Sequence, residues 1–220
     1  MKGLLIKDIA YLKQNKSLYF FLIIFGLGFS LFYDNSNFIL GYCSVFSGIL
    51  ALGTINYDDY NHGLSFLFTL PPTRKDYVKE KYLLAYGISV VLIIFATILS
   101  IATDYRLLHN FHFISLDWLL GILATLFFSF MLIAFLIPIQ IKFGSQKSQL
   151  AMIIVFGGMA LVFILLYLLT QVTGIDVESL FNQIISLSPY LIMTMFILIV
   201  ALINYVSYRI SITMMEKKEF

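Results

Sequence analysis

Six nearly unbroken apolar runs, at residues 17–33, 38–56, 82–103, 118–141, 149–170 and 189–211, alternate with short polar connections along this chain. Each is close to the ~17–25 residues that a helix needs to cross the hydrocarbon core of a bilayer. Apolarity on every side suits a helix, whose backbone groups are satisfied internally; a membrane barrel strand would alternate apolar and polar positions. The pattern predicts an all-α integral membrane protein with six transmembrane helices, residues 1–220 forming a single transmembrane domain. Ahead of the first run, residues 1–16 interleave Lys2, Lys7, Lys13 and Lys16 with Leu5, Ile9 and Leu12. That spacing predicts an amphipathic elbow helix lying in the headgroup region. No small-residue cleavage pattern follows, so the first run reads as a retained helix rather than a signal peptide.

The long interruption that is both charged and patterned is residues 57–81, between the second and third runs. Leu64, Leu67 and Leu70 recur every third residue and so share one side of a short helix that also carries Phe66. Pro71 and Pro72 end that helix, and Thr73 starts another, its hydroxyl placed to cap the backbone N–H groups near Asp76. Apolar side chains at the water boundary need lipid or a protein partner to cover them.

Composition agrees with a membrane class: 60% of residues are hydrophobic and 12% charged, which excludes an ordinary soluble domain. Cys43 is a lone cysteine within an apolar run, so no disulfide framework exists and a small buried side chain is expected. Placing the N-terminus in the cytoplasm puts all 14 Lys and Arg residues except Arg106 on the inner side. That bias fixes the orientation, with both termini and the 57–81 segment cytoplasmic in a multi-pass protein of the cell membrane. The outer connections are then residues 34–37, 104–117 and 171–188. In the last, Asp176 can cap a helix whose Val177, Leu180, Phe181, Ile184 and Ile185 form one face, predicting an amphipathic connector on the outer leaflet. Pro189 suits a first helical turn, and Pro138 is expected to bend the fourth span.

The spans hold no Asp, Glu, Lys, Arg or His well inside them; Asp34, Asp104, Asp117 and Arg209 sit at ends. Ion-coupled transport usually retains a costly intramembrane charge, so a secondary transporter is disfavoured. His62, His109 and His112 come without cysteines or carboxylates at ligand spacing, and no catalytic, cofactor-binding or metal residue is assigned. Residues 144–148 (GSQKS) lack the glycine pattern of a phosphate-binding loop, so any ATP used must be held by another chain. Gly41, Ser44, Gly48 and Ala51 share a face of the second span, and Ala85, Ser89, Ala96 and Ser100 a face of the third. Small residues let helices approach closely in lipid, so these faces are expected to pack within the subunit.

The run Asp58, Asp59, Gly63, Leu64, Phe66, Leu67, Leu70, Pro71, Thr73, Arg74, Lys75, Val78, Lys81 and Tyr82 resembles the cytoplasmic connection of ABC-2 type transporter permeases. In that family an acidic cluster, a glycine, a hydrophobic helix and a Leu-Pro-x-Ser/Thr-Arg/Lys turn precede the third span. The elbow helix, six spans and short outer loops agree over the whole chain. Within the family it is similar to short six-span permeases of Gram-positive peptide exporters, such as the phenol-soluble modulin exporter. The resemblance implies a coupling helix that docks on a separate ATP-binding subunit through Asp58, Asp59, Gly63, Leu64, Phe66, Leu67, Leu70, Pro71, Pro72, Thr73, Arg74 and Lys75. Ser65, where the family often has an acidic residue, and Pro72, which doubles the turn, depart from its pattern.

The implied function is a non-catalytic permease subunit of an ATP-binding cassette exporter. It would pair with a second permease subunit and with partners that hold ATP and Mg, in the lipid bilayer and without nucleic acid. An amphipathic peptide or hydrophobic small molecule suits the uncharged spans. Two other classes fit the same pattern: a non-transporting membrane immunity or scaffold protein, and the disfavoured secondary transporter.

Overall fold

The computed structural model describes residues 2–32, 37–60, 63–69, 71–108, 115–173 and 189–218. The regular elements among them are helices: α1 (Lys2–Gln14), α2 (Lys16–Phe32), α3 (Asn37–Asp59), α4 (Gly63–Leu67), α5 (Arg74–Leu108), α6 (Leu116–Phe143), α7 (Ser148–Thr173) and α8 (Pro189–Lys217). A 3-10 turn at Ser145–Lys147 joins α6 to α7. The predicted connector after Asp176, the three histidines and Leu70 lie outside the described residues.

Every predicted apolar run falls on its own helix, but length separates them. Among the described residues, four helices are long and apolar enough to cross a bilayer, at Asn37–Asp59, Arg74–Leu107, Trp118–Phe143 and Met193–Lys217. At 17 residues α2 is about 25 Å long, short of a ~30 Å hydrocarbon core. Only together with α1, from which it is bent by 62°, is it long enough, and that pair would make a fifth span. In α7 the apolar stretch is Met152–Leu168. The third run is the middle of a 35-residue helix, α5, which at about 52 Å outreaches the core.

Helix ends follow local chemistry. Asn15 stops α1 by donating its side-chain amide to the Tyr11 carbonyl at 3.0 Å, and α2 starts at the next residue. At the start of α5 the predicted cap forms reciprocally: Thr73 Oγ1 accepts the Asp76 N–H at 3.1 Å, and Asp76 Oδ2 accepts the Thr73 N–H at 3.3 Å. Ser115 caps α6 through the Trp118 N–H at 3.2 Å.

The centre of the bundle is α3, with 61% of its apolar window buried against 17% for α8. It packs chiefly between α5 and α6. The small-residue faces meet there: Ser44, Gly48, Ala51, Ala85, Ser89, Ala96 and Ser100 are all buried, and the Ser47 and Ser89 hydroxyls lie 3.1 Å apart. A Cβ on Gly48 would come within 2.7 Å of Leu136 Cδ1, which shows how closely α3 and α6 approach. Cys43 is buried beside Ile39, Leu40 and Leu92, as its apolar context predicts.

Pro138 does not interrupt α6, which continues to Phe143. Proline offers no N–H to the carbonyl of Ala134 four residues earlier, and the Ser207 hydroxyl of α8 donates to that carbonyl instead. Tyr82 Oη lies 2.5 Å from Ser207 Oγ and 2.9 Å from Ser211 Oγ, so one buried chain of hydroxyls ties α5, α6 and α8. Exposed large apolar side chains concentrate on α2, α7 and α8, such as Phe20, Leu161 and Leu202, where lipid or another subunit would cover them.

Candidate functional site

Residues 57–81 leave α3, turn through α4 and enter α5, and the structure divides them sharply between buried and exposed. Leu64 and Leu67 are not presented outward. They are buried at 2% and 8% exposure among Leu4, Tyr77, Val78, Ile137, Ile141 and Met215, so α4 is keyed into the ends of α5, α6 and α8. Between them Phe66 points the other way and is 71% exposed. The helix is five residues long, with its shared side in the core and its opposite side exposed. Tyr57 and Tyr60, not singled out by sequence, add exposed aromatic surface to the same segment.

The turn residues act locally. A Cβ on Gly63 would sit 2.6 Å from the Asp58 carbonyl oxygen, a rigid backbone atom, so glycine is required where the chain folds back from α3 into α4. Pro71 is exposed and Pro72 half-buried, and Thr73 caps α5 as expected. Arg74 donates to the Met215 carbonyl at 3.1 Å and also to the Glu216 carbonyl, closing the C-terminal turn of α8. Its guanidinium also lies 5.8 Å from the centre of the Phe68 ring. Lys75 reaches Glu216 at 3.5 Å, with both side chains well exposed.

The two aspartates have different tasks. Asp59 accepts the Ser145 N–H at 2.6 Å and pairs with Lys218 at 3.1 Å. Gly144 makes this possible: its φ of 71° is the left-handed region, and a Cβ would come within 2.7 Å of Asp59 Oδ2. Asp59 therefore staples the α6–α7 turn and the end of α8 to the 57–81 segment.

Asp58 instead enters a buried charge cluster that the sequence did not reveal. Lys81, 1% exposed, pairs with Asp8 of α1, with Asp58 Oδ2 at 2.6 Å, and reaches the Thr54 carbonyl at 3.4 Å. Lys7 pairs with Asp58 and with Asp8 Oδ1 at 3.2 Å. Glu80 is fully buried, 3.8 Å from the Lys81 ammonium, and neither of its carboxylate oxygens has a hydrogen-bond partner among the described residues. Two ammonium groups thus face three carboxyl groups. α1, α3 and α5 bring these five side chains together and remove most of them from solvent, so Asp58, which the resemblance assigns to docking, is instead buried. The face that α1 packs inward is consequently Leu4, Asp8 and Tyr11, while Ile6 and Ile9 of the apolar positions are exposed.

Among the described residues no group of His, Cys, Asp and Glu is arranged to hold a metal ion. What the arrangement can do is mechanical. Phe66 stands on a short helix whose underside, flanks and exit are pinned to α1, α3, α5, α6 and α8, so a force applied at Phe66 reaches several spans at once. No curated protein and no solved structure matches the chain. The family described as ABC-2 family transporter protein matches residues 3–216, nearly the whole chain. A multi-pass helical membrane protein of this kind, matched from the first helix to the end of α8, belongs to the ABC-2 transporter family, whose permeases lie in the bilayer and work with an ATP-binding subunit.

Proposed function

We propose that this chain is the permease subunit of an ATP-binding cassette exporter and that the 57–81 segment is its coupling element. The observation that carries the reading is the exposed Phe66 on α4, whose other side, through Leu64 and Leu67, is locked into the bundle. A protein that only needed an interfacial loop there has no use for a rigid mount beneath one projecting aromatic. In this reading Phe66, with Pro71, Thr73, Lys75 and the aromatic surface of Tyr57 and Tyr60, meets a groove on the ATP-binding subunit. Leu64, Leu67, Asp58, Asp59, Gly63 and Arg74 hold the mount. ATP-driven closure of two such subunits, each holding ATP and Mg, displaces α4. The continuous helix α5 then carries that displacement to a paired permease, of the same chain or a related one.

The working topology has six spans, with α1 as an elbow helix at the membrane surface and both termini cytoplasmic in the cell membrane. A cysteine at Asn37, which is exposed at the start of α3, is expected to react with an impermeant thiol reagent on intact cells, and one at Lys75 is not. Labelling of Lys75→Cys from outside would overturn this orientation. The cargo is an amphipathic peptide or a hydrophobic small molecule moved outward.

The buried charges gather at the end of the bundle that bears α4 rather than midway along a span, which favours ATP over an ion gradient as the energy source. Reconstituted with its ATP-binding subunit, the permease is expected to move cargo at an undiminished rate after proton and sodium gradients are collapsed with ATP present. Arrest of transport under those conditions contradicts the reading.

A further inference from the structure

The first turn of α5 and the last turns of α8 border a cleft of about 320 Å³ lined by Lys75, Tyr208, Arg209, Ile212, Thr213 and Glu216. Its charges are unequally engaged. Lys75 and Glu216 pair at 3.5 Å in an exposed and therefore weak contact. The Arg209 side chain makes no hydrogen bond or ion pair among the described residues, and its backbone carbonyl accepts from Thr213 Oγ1 at 3.1 Å. Tyr208, beside it, is fixed with its ring edge-on to Tyr82 at 5.6 Å.

The approach to Arg209 is also shaped. Leu198, Leu202 and Tyr205 are 68%, 65% and 64% exposed, and with Arg209 they recur at helical spacings of 4, 3 and 4 residues. They lie along one side of the broadly exposed apolar surface of α8, and this line ends at the guanidinium. From Leu198 to Arg209 the stripe is about 16 Å long, close to the ~15 Å depth of one leaflet's hydrocarbon. A guanidinium without a partner among the described residues, at one end of a leaflet-length apolar track, matches a molecule with an acyl chain and an anionic head.

We propose that this cleft binds an anionic phospholipid, its phosphate on Arg209 with Lys75 and Tyr208 beside it, and its acyl chain along Tyr205, Leu202 and Leu198. The guanidinium can hold two phosphate oxygens at once. Glu216 opposes it by competing for Lys75. A lipid seated there bridges α5 and α8, so it would resist the relative movement of those helices.

The test uses delipidated full-length protein in neutral detergent, titrated with phosphatidylglycerol, with phosphatidylcholine of the same chains, or with inorganic phosphate, bound lipid being counted by native mass spectrometry. Phosphatidylglycerol is expected to bind more tightly than phosphatidylcholine, and inorganic phosphate is expected not to displace it. Arg209→Gln is expected to weaken phosphatidylglycerol about fivefold or more, the loss expected from one basic contact at a lipid surface. Lys147→Gln, an exposed cation outside the cleft, leaves binding unchanged, and Glu216→Gln tightens it. Equal losses in Arg209→Gln and Lys147→Gln would reduce the effect to general surface charge and overturn the site. Binding of inorganic phosphate with the same dependence on Arg209 would make it a soluble-anion site, contrary to the proposal. If Arg209→Gln shifts the monomer–dimer balance and leaves phosphatidylglycerol untouched, a second copy covers the stripe and the lipid assignment falls. None of these readings depends on which leaflet faces the cytoplasm or on transport, so a failure here leaves the exporter reading standing.

Discussion

Replacing Phe66 with Asp is expected to abolish stable association with the ATP-binding subunit while the permease remains inserted and folded. Phe66 is 71% exposed in the isolated chain, so the substitution removes nothing from the core. Buried aromatic anchors at interfaces contribute about 2 kcal/mol or more each when truncated, on the order of a thirtyfold change in affinity. A carboxylate forced into an apolar groove adds its own desolvation cost. The contrast lies one residue away. Leu67→Asp places a charge where the side chain is 8% exposed against the ends of α5, α6 and α8, and is expected to lose the folded protein rather than the partner alone. Thermal stability in detergent separates the two: Phe66→Asp should melt as wild type, and Leu67→Asp well below it. Association of Phe66→Asp at wild-type stoichiometry would leave α4 as an interfacial loop.

The second large effect lies in the buried charge cluster. Lys81→Met is expected to destabilise the chain by about 3–5 kcal/mol, because it leaves Asp8, Asp58 and Glu80 facing Lys7 alone. That corresponds to roughly 6–20 °C in apparent melting temperature. Glu80→Gln removes one carboxylate from a site where three face two ammonium groups, at nearly constant volume. It is expected to melt at or above the wild-type temperature. If Lys81→Met and Glu80→Gln are equally damaging, the cluster is not organised around charge balance. Because the cluster is where α1 meets α3 and α5, Lys81→Met is also expected to expose the 2–14 helix to proteolysis ahead of the spans.

Much of the helical layout was legible because it depends on neighbours in the chain. Unbroken apolarity marked where α2, α3 and α5 to α8 lie, and Thr73 with Asp76 marked the start of α5. Small residues at helical spacing marked the faces that α3 and α5 press together. What covers an apolar face is a different matter. The three-residue rhythm showed that Leu64 and Leu67 point the same way, but Ile141 and Met215, which bury them, arrive from helices far along the chain. The same long-range assembly hid the charge cluster, since Asp58 and Lys81 were legible only as members of the cytoplasmic connection, and Asp8 lies far from both along the chain. One signal was present: Asp8 falls at helical spacing from Leu4 and Tyr11, a charge within a packing face, which calls for a buried partner. The number of spans was also only partly legible, because periodicity does not report the 62° bend between α1 and the 17 described residues of α2.

The central claim, that α4 is the contact with an ATP-binding subunit, is tested most directly by a photo-reactive amino acid at position 66 in the assembled transporter in membranes. Position 198, equally exposed but on the apolar stripe of α8, serves as the control. The account predicts a covalent adduct between position 66 and the ATP-binding subunit, with a yield that changes on ATP binding, and no such adduct from position 198. Absence of an adduct at 66, or equal adducts from 66 and 198, would contradict it.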